Sequence, residues 1–431
     1  MITERVTTAR LTTARFGTDR FAGRFMKRRA IQRGHRRVRE PGPARVLFAH
    51  PSPDLYGSDR MLIESVQSLI DAGCVVTVVL PASGPLVPRL QKSGAQVSVV
   101  DTVVLRKALL SVRGLAQLAI ATARTLPRAV RTVRDARADV VYVNTVTIPG
   151  WIVAARLAGT PVVCHVHEAE DSLARPIALA LHLPLLFTRR VLVNSRAAGH
   201  ALTATLPRLS ERIRLLYNGV AHPDDDQAPA DRHESTSGAD GDRPVRLLLV
   251  GRLSPRKGTD VAIAALESIV GRGLDARLDL VGEVFPGYEW YEVSLHEQVS
   301  AANLDARVGF VGFQDDVWPW FADADIVLVP SRVEPFGNVA VEAALARRPV
   351  IASAVQGLRE IVSPGETGVL VPADDPEAIA AAVFAMSGDW SSATLMAARA
   401  HDDAVARFGT ERYAVDLLRL LADAGVVPAF A

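Results

Sequence analysis

The chain has 431 residues, 49% of them hydrophobic and 22% charged, with a net charge of +2. That is apolar material for a sizeable core, and at roughly 150 residues per domain it fits two large domains best. It excludes a disordered or fibrous chain. The longest apolar run, Ile177 to Phe187, carries His182 and Pro184 and falls far short of a membrane span of ~20 residues. No apolar leader core follows the start. Two cysteines, Cys74 and Cys164, make neither a disulfide framework nor a metal cluster, so the expected setting is reducing and cytoplasmic, with the inner face of a membrane as an alternative.

Charge is unevenly placed. Residues 1–45 hold thirteen Lys/Arg against Glu4, Asp19 and Glu40, a net +10, so the remaining 386 residues sum to −8. Residues 1–44 read as a basic arm that is a solvated tail or a binder of anionic lipid. Nucleic acid is the least favoured partner, because no aromatic residues interleave the basic ones at stacking spacing. From Arg45 onward, short β-branched runs alternate with helical stretches. Val46–His50, Val75–Leu80, Gln96–Val100, Val140–Val143, Val162–Val166, Val191–Val193 and Ile213–Tyr217 read as strands, with helices at Asp59–Asp71 and Trp151–Leu157. Strands that are apolar almost throughout belong to a parallel sheet buried on both faces.

Residues 222–244, acidic and rich in Ser, Gly and Pro, read as a polar linker or loop. The alternation then restarts with strands at Val245–Val250, Arg277–Val281, Val308–Val311, Ile326–Val329, Val350–Ala352 and Val369–Val371, and helices at Thr259–Val270, Val339–Ala346, Pro376–Met386 and Ser391–Leu421. The expected architecture is α/β: two Rossmann-like doubly wound domains, 45–221 and 245–410, facing a central cleft. Residues 411–431 form a helix placed to pack back toward the N-terminal domain.

The informative stretch runs from Val329 to Val362. A strand ends at Pro330, a loop presents Glu334, and Pro335-Phe336-Gly337 opens a helix that holds Glu342. Eight positions of helix span at most ~12 Å, about the reach of a sugar, its diphosphate and a ribose. The N–H groups of Gly337, Asn338 and Val339 at a helix start favour a phosphate. Two glutamates alone would equally suit a surface acid and a partner on the next turn. Upstream, Gly251-Arg252 ends a strand and Lys257-Gly258 precedes a helix, two cations suited to a leaving diphosphate. In the first half, Ser52–Arg60 reads SPDLYGSDR, where Gly57 allows close backbone approach to a phosphate or simply makes a tight turn. Cys164–Glu168 ends a strand with His165 and His167 on one side.

The Val329–Val362 stretch resembles the E-x7-E region of retaining glycosyltransferases of the GT4 family, which have the GT-B fold. Glu334, Phe336, Gly337, Glu342, Ala343, Pro349–Ala352, Gly357 and Glu360–Val362 match its pattern. Arg348 stands where a glycine is usual, and Gln356 where the first of two glycines is common. The resemblance implies that Glu334 and the following amides hold the donor sugar, that Glu342 takes the ribose hydroxyls, and that Arg252 and Lys257 grip the diphosphate. It also implies a catalytic-site histidine at His167, a phosphate loop at Gly57, scaffold or acceptor-side places for Asn194, Ser195 and Tyr217–Val220, and an acceptor-side domain at 45–221 facing a nucleotide-sugar-binding domain at 245–410. The activity expected on this footing is retaining transfer of a sugar from a UDP-, GDP- or dTDP-linked donor to a glycan, lipid-linked or small-molecule acceptor, in cell-envelope polysaccharide or glycolipid synthesis.

A nucleotide-sugar epimerase or hydrolase of the same fold, and a non-catalytic sugar-nucleotide sensor, stand as alternatives. A dinucleotide dehydrogenase is disfavoured, since no G-x-G-x-x-G opens either half. No cofactor and no metal are expected. A set of His165, His167 and Glu168 competes weakly for an ion, and Asp323-Ala324-Asp325 is read as helix-end acids before a buried strand. Trp318 and Trp320 are assigned to packing. Residues 105–137 carry eight Arg/Lys and one acid among recurring apolar positions. They are either a basic amphipathic helix for an anionic membrane or a core-facing helix with a solvated basic face.

Overall fold

The computed structural model describes residues 42–55, 57–105, 112–168, 174–221 and 243–426. The arm up to residue 41, Tyr56, residues 106–111, 169–173, 222–242 of the polar segment and 427–431 lie outside them.

In the first half the strands are β1 (Arg45–Ala49), β2 (Val75–Leu80), β3 (Gln96–Val99), β4 (Val140–Val143), β5 (Val162–Val166), β6 (Arg190–Val193) and β7 (Ile213–Leu215). The helices are α1 (Gly57–Asp71), α2 (Leu86–Lys92), α3 (Val112–Asp135), α4 (Gly150–Ala158), α5 (Arg175–His182) and α6 (Arg196–Thr205). The strands pair in the order β3-β2-β1-β4-β5-β6-β7, all parallel. Successive residues of β1 and β4 enter opposite cores. Val46, Phe48, Val140 and Tyr142 pack on one face of the sheet, and Leu47, Ala49, Val141 and Val143 on the other. Burial on both faces is why these strands show no polar alternation in the sequence.

The second half repeats the plan. Its strands are β8 (Val245–Val250), β9 (Ala276–Val281), β10 (Val308–Gly312), β11 (Ile326–Val329), β12 (Val350–Ser353) and β13 (Val369–Val371), parallel in the order β10-β9-β8-β11-β12-β13. Its helices are α7 (Thr259–Gly271), α8 (Glu289–Ala301), α9 (Trp318–Asp323), α10 (Asn338–Leu345), α11 (Leu358–Ile361), α12 (Pro376–Gly388), α13 (Trp390–Phe408) and α14 (Thr410–Asp423). Three starts are set by side-chain caps: Ser195 accepts from the Ala198 amide at α6, Asp375 from Ala378 at α12, and Asp389 from Ser392 at α13.

Two expectations about element ends need correction. The seventh strand stops at Leu215 rather than Tyr217, because the Tyr217 and Asn218 carbonyls accept from the Arg412 guanidinium at 2.8 and 2.9 Å. The last helical stretch is two helices rather than one, broken at an extended Gly409. There the Val220 amide donates to the Phe408 carbonyl at 2.8 Å, so two chain segments run side by side between the halves. α14 then lies on α1, presenting Tyr413, Leu417 and Leu421 to the core that also holds Val46 and Phe48. The Tyr413 hydroxyl bonds Ser65 Oγ at 2.6 Å, across 348 positions of sequence.

Gly219 fits beneath Tyr413 only because it lacks a side chain: a Cβ there would stand 2.5 Å from Tyr413 Cβ. Gly219→Ala should therefore push α14 off its seat and cost about 1–3 kcal/mol in chemical denaturation. Wild-type stability in the variant would show that the crossing tolerates a methyl group.

Candidate functional site

Both sheets direct their strand carboxyl ends at the same space, and the loops leaving those ends line a cavity of about 460 Å³. That is within the range of small-ligand pockets. The first half contributes Gly57 and Arg60 from the start of α1, His167 after β5 and Asn194 after β6. The second contributes Arg252 and Lys257 after β8, and Glu334 through Val339 together with Glu342 after β11. Every residue singled out from the sequence as a donor-site candidate borders this one cavity.

Glu334 is 8% exposed and is held from several directions. Its Oε2 accepts from Lys257 Nζ at 2.5 Å and from Ser331 Oγ at 3.1 Å. Its amide donates to Gln356 Oε1 at 3.0 Å, and its carbonyl accepts from the Gly357 amide at 3.1 Å. Gln356 adopts a left-handed φ of 32°, a conformation glycine takes more easily, and its side chain pins the Glu334 backbone. Lys257, read from the sequence as a diphosphate cation, is thus joined to the first glutamate of the motif. The Arg252 guanidinium lies over the Phe285 ring, 3.0 Å from its centroid.

Gly337 turns the chain into α10 at φ 121°, and a Cβ there would meet Leu358 Cδ2 at 2.6 Å, so both backbone and space demand glycine. The first amides drawn into the ladder of α10 are those of Ala340 and Val341, both donating to the Gly337 carbonyl. The Gly337, Asn338 and Val339 amides stand ahead of that ladder at the cavity edge. Asn338 Oδ1 accepts from Asn218 Nδ2 at 2.8 Å, and its Nδ2 is 3.2 Å from where a Cβ on Gly57 would stand. Phe336 borders the cavity, but its ring is 3% exposed and packs between Tyr217 and Phe408.

Glu342 is buried on α10, and burial raises its carboxyl above the usual range while Arg60 and Lys257 pull it back down. Arg60 Nη1 stands 3.7 Å from Glu342 Oε1, so a cation of the first half faces a carboxylate of the second across the cleft. Arg60 stands one turn after Gly57 on α1, a position to which the sequence alone gives no role.

His167 Nε2 lies 2.9 Å from Asn144 Oδ1, and burial, with His50 nearby, lowers its pKa to about 3. His165 shares its side but is fully buried, with Nδ1 2.8 Å from the Tyr142 hydroxyl. Glu168 is tied to Thr145 and to the His167 amide. Among the described residues no group of three or more His, Cys, Asp or Glu side chains is arranged to hold an ion. Asp325 is gripped by both terminal nitrogens of Arg243 at 2.8 Å, and Asp323 pairs with Arg246. Trp318 and Trp320 pack against the core of the second half.

The sequence signature described as Glycosyltransferase Family 4 matches residues 56–222, and that described as Glycosyl transferases group 1 matches 244–389. The chain is 33% identical over 181 residues to the lipopolysaccharide core biosynthesis glycosyltransferase LpsE of Rhizobium meliloti, covering 42% of this chain and half of that protein. It is 30% identical over 285 residues to D-inositol 3-phosphate glycosyltransferase 1 of Catenulispora acidiphila, covering 62% of this chain and 67% of that one. Anabaena HepE, solved with UDP and glucose, superimposes with a TM-score of 0.74 at 25% identity, over 88% of this chain and 99% of its own.

The facing charges generate an electrostatic expectation. In Arg60→Ala one of the two cations that hold the Glu342 carboxyl down is gone, so that carboxyl should titrate at higher pH than in wild type. Carbon-13 NMR of labelled glutamate side chains reads this directly, and an unchanged titration would remove Arg60 from the site's electrostatics.

Proposed function

The chain belongs to the group 1 glycosyltransferases of family 4, with the GT-B fold, and on that footing we propose that it transfers a hexose-like unit from a nucleotide sugar to an acceptor hydroxyl with retention of anomeric configuration. The observation that carries this reading is the pairing in one cavity of Glu334 with Lys257 and of Glu342 with Arg60, on either side of the α10 N-terminus. An anion seated at those amides has a carboxylate beyond each end to take hydroxyls, sugar at Glu334 and ribose at Glu342. The HepE complex with UDP-glucose favours a uridine diphosphate donor over the GDP and dTDP alternatives. The name of LpsE favours a cell-envelope glycan or glycolipid as acceptor.

In the proposed reaction the bond from C1 to the diphosphate oxygen breaks as a bond from C1 to the acceptor oxygen forms on the same face. The acceptor proton passes to the leaving diphosphate. Arg252, Lys257 and the amides of Gly337 to Val339 take up the charge that develops there. Lys257 has three N–H donors, so it can hold a phosphate oxygen without releasing Glu334. Glu334, held at its side chain, amide and carbonyl, orients the sugar rather than attacking it. His167, neutral through the physiological range, sits at the sugar end as a hydrogen-bonding group.

UDP-glucose should raise the melting temperature of the wild-type protein. Glu334→Ala should lower UDP release in the presence of an acceptor extract on the order of a hundredfold, with unchanged circular dichroism. Near-wild-type turnover would take Glu334 out of the mechanism.

Membrane proximity belongs to the same proposal and rests on the surface of the first half. The apolar side of α3 is occupied, since Leu126, Val130 and Val133 pack into the core. The exposed stripe of α3 runs Ile120, Arg124, Arg128, Arg131. Next to it, α4, α5 and the turn that follows expose Val153, Leu157, Leu179, Leu183 and Phe187. Arginines beside bare apolar side chains suit an anionic lipid surface. No helix among the described residues is long and apolar enough to cross a membrane. The protein should sediment with phosphatidylglycerol-containing vesicles at low salt and release at high salt, and Leu157→Glu with Phe187→Glu should abolish this. Failure of the wild type to sediment at low salt would end the membrane reading.

A further inference from the structure

Four polar side chains form an unbroken row along the carboxyl ends of three neighbouring strands. Asp59 stands in the first turn of α1, His50 follows β1, Asn144 follows β4 and His167 follows β5. These three strands are adjacent in the sheet, so the row runs across it. His50 Nε2 and Asp59 Oδ1 are 2.7 Å apart, Asn144 Nδ2 and His50 Nδ1 3.0 Å, and His167 Nε2 and Asn144 Oδ1 2.9 Å. Asp59, His50 and Asn144 are at most 2% exposed, and of the four only His167 borders the cavity. Three polar side chains buried beside a pocket they do not enter are expensive to keep unless the row does something for the one that enters it.

The chemistry of the row runs in one direction. A carboxylate only accepts, so His50 Nε2–H donates its hydrogen bond to Asp59 Oδ1. With that single ring proton on Nε2, His50 has a lone pair on Nδ1, which accepts from the Asn144 amide group. That leaves Asn144 Oδ1 as the acceptor for His167 Nε2–H. The opposite sense requires both His50 nitrogens to be protonated. The His165 ring, centred 4.0 Å from that of His167, closes off rotation on one side.

We propose that Asp59, His50 and Asn144 are positioning residues that fix His167 as its Nε2–H tautomer in one ring orientation, leaving Nδ1 as the lone-pair nitrogen of the ring. The proposal deepens the reading of His167 as part of the reacting site and depends on that reading only for its effect on turnover. The depressed pKa of His167 agrees with a ring that stays neutral and acts through a defined tautomer.

Nitrogen-15 NMR of histidine-labelled protein tests the row without reference to turnover. His167 should appear protonated at Nε2, with a ring proton slow to exchange with water. Asp59→Asn keeps size and shape but lets position 59 donate, and Asn144→Leu removes the bridge. Both should lose the slowly exchanging proton, and kcat should fall roughly tenfold or more, as a misassigned tautomer costs. The KM for UDP-glucose should stay within about twofold, since these residues touch no donor atom. In a His167→Ala background Asn144→Leu should add no further loss. A His167 protonated at Nδ1, or a protected Nε2 proton that survives both substitutions, would overturn the proposal. If the NMR result holds while His167→Ala keeps full turnover, the row stands and it is His167 that leaves the reaction.

Discussion

The cleft is organised around the ion pair of Lys257 and Glu334. Their side chains retain only 27% and 10% of their exposure, so neither charge is well solvated and each needs the other. The pair ties the loop after β8 to the loop after β11. Gln356 and Gly357 tie that second loop to the segment after β12. Three neighbouring strand ends of the second sheet are thereby locked in register with one carboxylate, the kind of preorganisation that the proposed reaction requires.

The two halves supply different kinds of polar group to the cavity. The second sheet brings paired charges and the amides of a helix start. Apart from Arg60, the first sheet brings neutral hydrogen-bonding groups, His167 held by the buried Asn144, and the asparagines Asn194 and Asn218. Under the proposed reaction this division has a physical basis. Charges that compensate a diphosphate must sit where the anion rests, whereas a group that addresses sugar hydroxyls must keep a definite donor and acceptor sense.

The fold was legible in the sequence because both sheets are buried on both faces. Apolar runs such as Val140–Val143 and Ile326–Val329 had no other plausible home, and their observed bounds agree with the expected ones. What stayed hidden depended on partners distant in sequence. The break at Gly409 is set by Val220, and the early end of β7 by Arg412. In the site, the glutamates, Arg252 and Lys257 declared themselves by spacing and by family resemblance. Arg60 and the row behind His167 did not, because a single arginine in a helix turn or a histidine after a strand carries no local pattern. Gln356 looked like a departure, and only the bond to the Glu334 amide gives it a purpose.

The seat of α14 on the first sheet also governs the order in which the chain can fold. Val46, Phe48 and Tyr142 share one apolar layer with Tyr413, Leu417 and Leu421, and the Ser65–Tyr413 contact closes a loop of 348 positions. While the chain emerges from the ribosome, the first Rossmann unit therefore has a bare flank until the second has been synthesised and the closing helix arrives. Its completion is a late, long-range event, and that flank is where a chaperone would find purchase in the meantime.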